Sequence, residues 1–72
     1  MYLETIDMST GAHPTNAYLY SKSRSAFVAT DTARMLEARG DDVYIIKVDN
    51  HYTAQELDPI FDEAIKYIES KD

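Results

Sequence analysis

The sequence predicts a small α+β domain: a two-layer sandwich of ββαβα order, with a three-stranded sheet and two helices packed on one face. Three observations lead there. VYIIKV (43–48) is apolar on both of its alternating faces. Residues 59–70 repeat apolar side chains at helical spacing. The chain has 72 residues, 44% hydrophobic and 28% charged, enough for one shallow core. Residues 1–72 therefore read as a single small acidic domain.

The elements follow in chain order. YLETIDM (2–8) has the apolar and β-branched content of a strand, and STGAHPTN (9–16) is a turn-rich loop. AYLYS (17–21) reads as a second strand, and the pair suggests a β-hairpin with a long exposed tip. From Ser23 to Arg39 a long helix gathers Ala26, Val28, Ala29, Ala33, Met35 and Leu36 on one side, with Gly40 as its stop. Phe27 falls on the polar side of that helix. The alternative is a strand over 25–30 followed by a short helix from Thr30 or Asp31.

VYIIKV is expected inside the sheet, covered on two sides. After it, Thr53 and Glu56 have the spacing of a capping box, and Tyr52 and Leu57 that of a hydrophobic staple. Pro59 lacks an N–H, so the expectation is one turn over 53–57, a break, and a restart capped by Asp58. The main helix then runs 59–70. It carries Ile60, Phe61, Ala64, Ile65 and Ile68 inward, and Asp62, Glu63, Lys66 and Glu69 outward.

Composition narrows the chemistry. There is no cysteine, so disulfides, thiolate nucleophiles and cysteine metal sites are absent, and a reducing cytoplasm is the expected location. Neither a signal-peptide pattern nor a membrane-spanning run is present, so no membrane partner is expected. Net charge is −6, and all of the excess lies in residues 37–72; residues 1–36 balance. Such a chain would repel a phosphate backbone, which argues against direct nucleic-acid binding and for a protein with a basic surface as partner. A homodimer is also compatible with so thin a core.

Asp49, Asn50, His51 and Tyr52 bring an acid, a carboxamide, an imidazole and a phenol together where the central strand ends. The ordinary reading is a chain corner. Asn50 suits a turn, Tyr52 and Thr53 begin a helix, and one imidazole with one carboxylate falls short of the three or four ligands of a metal site. There is no nucleophile elbow and no phosphate-cradling glycine loop. No catalytic residue, cofactor or metal ligand is therefore assigned.

The expected function is a non-enzymatic protein-binding module, an inhibitor or accessory factor that could act as a nucleic-acid mimic. Its candidate contact residues are Tyr18, Tyr20, Asp41, Asp42, Asp49, Glu56, Asp58, Asp62, Glu63 and Glu69. The alternative is a small enzyme or metal-binding protein with Asp49, His51 and His13 assembled at an oligomer interface. The ββαβα order in a short acidic chain without cysteine is similar to that of some phage-encoded inhibitors of host enzymes, certain anti-CRISPR and polymerase-inhibiting proteins among them. That likeness covers element order alone and implies no residue roles.

Overall fold

A computed structural model describes residues 4–71. Six elements follow in order: β1 (Glu4–Asp7), β2 (Thr15–Ser21), β3 (Ala26–Phe27), α1 (Thr30–Ala38), β4 (Val43–Asp49) and α2 (Ala54–Glu69). The strands form one mixed four-stranded sheet in the order β1-β4-β2-β3. β4 is central, parallel to β1 and antiparallel to β2, while β3 adds antiparallel to β2. The α+β class stands; the strand number, the element order and the expected hairpin are corrected.

β1 and β2 are not neighbours. β4 lies between them, with Ile46 opposite Ile6 on one side and Tyr18 on the other. The reason is burial. β4 carries apolar side chains on both faces and gains most from the centre of the sheet, while Glu4, Thr5 and Asp7 of β1 suit an edge. The expected strand over 2–8 is seen as Glu4–Asp7, and its Tyr2 and Leu3 lie outside the described residues.

The hairpin joins β2 to β3 instead. Ser25 N–H donates to the Lys22 carbonyl (3.2 Å) to close the turn. The buried Ser21 hydroxyl oxygen accepts from Arg24 N–H (3.2 Å), and Ser25 takes a left-handed φ of 52°. The long helix from Ser23 is thereby replaced by its alternative, a short strand and then a helix from Thr30. Phe27 decides the matter: on a helix it would face water, whereas on β3 its ring meets Tyr18, Tyr20 and Phe61 at centroid distances of 6.2, 5.3 and 4.9 Å.

α1 ends as the sequence predicts. Gly40 has φ 84°, its N–H donates to Glu37 C=O, and Asp41 N–H reaches back to Leu36 C=O, a Schellman arrangement. α2 starts on the expected capping box: Glu56 N–H donates to the Thr53 hydroxyl (3.3 Å) and Thr53 N–H to the Glu56 carboxylate (3.1 Å). Pro59, however, does not break the helix. It and Gln55, whose carbonyl loses the N–H that Pro59 lacks, are both exposed, so water can satisfy that oxygen.

The helices lie on opposite faces of the sheet, a second correction. Tyr44, Ile46 and Val48 join Tyr20, Ile6, Ala64 and Ile68 in one cluster under α2. Val43, one residue out of phase, joins Ala33 and Leu36 under α1, with Leu19 and Val28 against them. Side chains alternate along a strand, so these clusters occupy the two sides of the sheet. Among the described residues, no helix is long and apolar enough to cross a membrane.

Candidate functional site

Because β4 separates β1 from β2, the connection between them must cross the carboxyl end of β4. Residues 8–14 make that crossing, and the corner after β4 receives them. Met8 N–H donates to Lys47 C=O (2.8 Å) and Asn50 N–H to Pro14 C=O (2.9 Å). Between these, the backbone N–H of Thr10 donates to both Asp49 carboxylate oxygens (3.2 and 3.3 Å), and its hydroxyl donates at 2.7 Å. Asp49 is 1% exposed. It is a clasp for the crossing loop, and its burial removes it from the set of surface contact residues.

The loop also carries His13 to the corner. The His13 and His51 rings meet at a centroid distance of 4.3 Å, and the Tyr52 ring also lies 4.3 Å from that of His51, both pairs tilted. His51 Nδ1 lies 3.9 Å from an Asp49 oxygen. The structure thus brings His13, His51 and Asp49 together within one chain, a meeting of residues 38 apart that no local spacing signalled. The two imidazole planes are tilted by 39° to each other. Among the described residues, no group of three or more His, Cys, Asp and Glu side chains could hold a metal ion.

The tyrosines expected at the surface are mostly inside. Tyr20 is 3% exposed, and Tyr18 packs half-buried against the same core, its ring 5.0 Å from Phe61. Both face α2 because they alternate in phase with Tyr44 and Ile46 across the β2–β4 ladder. Tyr18 and Tyr20 therefore support the aromatic edge from beneath. Among the described residues, the exposed phenylalanine and tyrosine rings are Phe27 and Tyr67. Burial raises the Tyr20 and Tyr44 hydroxyls above their ordinary value, with Glu69 adding to the effect at Tyr20 and Asp42 at Tyr44.

The predicted acidic residues do not form one patch. At 100° per residue, Asp58, Asp62 and Glu69 fall within about 40° of one another on one flank of α2, and Glu56 and Glu63 lie on the other. The first flank adjoins Phe61, and so the edge formed by β2 and β3. The second adjoins β1, across an open groove of about 380 Å³ lined by Glu4 to Met8, Glu63, Ala64 and Tyr67. Asp41 and Asp42 sit apart, on the loop leading into β4 with Lys22, Ser23 and Gly40.

Several carboxylates already have partners. Glu4 accepts from Tyr67 Oη (3.0 Å) and pairs with Lys71, whose ammonium lies 4.8 Å from the Tyr67 ring centre. The Lys71 and Tyr67 hydrogen bonds hold the Glu4 carboxyl below its ordinary value. The Thr53 backbone and hydroxyl do the same for Glu56. Asp58, Asp62 and Glu69 are exposed and make no ion pair among the described residues.

Comparison of the chain with family models, with curated proteins and with solved structures finds no match. The likeness to phage-encoded inhibitors rested on a ββαβα order, and the observed order, βββαβα, removes that basis.

Proposed function

We propose that this chain is a non-enzymatic protein-binding module, an inhibitor or accessory factor. It engages a protein with a basic surface through the Asp58, Asp62 and Glu69 flank of α2. The observation that carries the reading is the placement of that flank beside Phe27, which is 41% exposed and backed by Tyr18, Tyr20 and Phe61. An aromatic anchor rimmed by carboxylates suits a partner that presents arginine or lysine around an apolar contact. Where such a partner normally holds nucleic acid, the three carboxylates would occupy phosphate positions.

The test is retention of proteins from a cell lysate on the immobilised chain, run beside an Asp58→Asn/Asp62→Asn/Glu69→Gln variant. A protein held by the wild type, released by salt and not held by the variant supports the reading. Retention that neither salt nor the substitutions change would overturn it.

A further inference from the structure

We propose that the open half of β2 takes up an extended segment of a basic partner as an added strand, with lysine or arginine at alternate positions meeting Asp58 and Asp62. This rests on the protein-binding reading above and adds to it the mode of contact.

The backbone supplies the first argument. β3 pairs with β2 only at Tyr20 and Ser21, and Val28 N–H extends the ladder by donating to Leu19 C=O (2.9 Å). Backbone groups alternate in direction along an antiparallel strand. Pro14 C=O receives Asn50 N–H and Lys22 N–H donates to Asp42 C=O, so the even-numbered residues of β2 serve β4. The N–H and C=O groups of Thr15 and Ala17 therefore point the other way, beyond the end of β3, where no described strand lies.

The side chains supply the second. Thr15, Asn16 and Ala17 are exposed, and from Thr15 to Leu19 there is neither the lysine nor the proline with which sheet edges are commonly blocked. A strand laid here continues the line of β3. On the α2 face its side chains fall beside Phe27 and Tyr18, then beneath the flank of Asp58 and Asp62. Lysine or arginine stems crossing Phe27 and Tyr18, with their charged heads at Asp58 and Asp62, match that surface, which is how β-addition combines backbone affinity with side-chain selection. A second copy of this chain is a poorer occupant, because self-pairing would bring together two molecules each of net charge −6.

The probe is a short labelled peptide of alternating lysine and valine, with two controls: the glutamate–valine counterpart, and the lysine–valine peptide N-methylated at its valine amides, which face β2 when the lysines lie on the α2 face. Ala17→Pro removes an outward N–H while leaving the β2–β4 bonds in place, and thermal melting checks that it folds. Binding of the lysine–valine peptide is expected to weaken about tenfold in Ala17→Pro and at least as much with the N-methylated peptide, and the glutamate–valine peptide should not bind. Asp58→Asn/Asp62→Asn should also weaken it. Equal affinity for methylated and unmethylated peptides would overturn edge addition, even with an Ala17→Pro chain that fails to fold. If the charge variant alone lost affinity, the broader protein-binding reading would survive. A wild-type dimer that Ala17→Pro converts to monomer would assign the edge to a second copy and overturn the proposal.

Discussion

Asp49 shows how a residue that looks chemical can be structural. Both of its oxygens accept from Thr10, and the contact joins positions 39 apart in the chain. Removing the acceptor forfeits the charge-assisted hydrogen bonds that hold Thr10, which costs about 1.5–3 kcal/mol. Asp49→Ala should therefore lower the free energy of unfolding by about that amount in a urea titration, whereas Asp49→Asn, which keeps one acceptor oxygen, should lose less. An Asp49→Ala chain as stable as the wild type would remove the clasp. Local sequence identified the corner but could not name its partner, because Thr10 belongs to a loop brought there by the sheet order.

At the scale of elements, α2 and β4 were legible because their signals are local and long: an apolar stripe, a capping box and a run apolar on both faces. β3 was legible only within the alternative strand over 25–30, since two residues are too few to show a period, and its turn uses Ser25 at positive φ where a glycine would have marked it. The two-sided apolar pattern of β4 already implied cover on both faces; placing both helices on one side overlooked it. Gly40 was legible as the end of α1. An added Cβ there would meet nothing within 4 Å, so a Gly40→Ala substitution costs backbone strain alone. The left-handed conformation costs an L-residue about 1–2 kcal/mol, and the midpoint of thermal unfolding should fall accordingly. An unchanged midpoint would mean that α1 can end some other way.

For the molecule as a whole, the pH profile follows from groups at several places. Glu4, Asp7 and Glu56 are held below their ordinary values, by Lys71 and Tyr67, by Ser9, and by Thr53 respectively. A carboxylate with a depressed folded value contributes stability that is complete above its unfolded value and is lost as pH falls through the folded one. Stability should therefore hold down to the ordinary glutamate value of 4.5 and decline below it. On the alkaline side, the Glu4 and Tyr67 hydrogen bonds raise Lys71 above 10.5, and burial raises Tyr20 and Tyr44 above 10.0. Those contributions are complete below the unfolded values and are lost as pH climbs through the raised ones. Urea midpoints across the pH range should form a plateau bounded near these values. A steady decline across the neutral range would contradict these assignments.

The sheet order also governs how the chain reaches its native state. Thr5 pairs with Ile45, and Glu4 to Asp7 have no other strand beside them among the described residues. The first strand cannot pair until the last one has been synthesised. Closure of the N-terminal segment onto β4 is a long-range step, the kind that slows folding relative to domains built from neighbouring contacts.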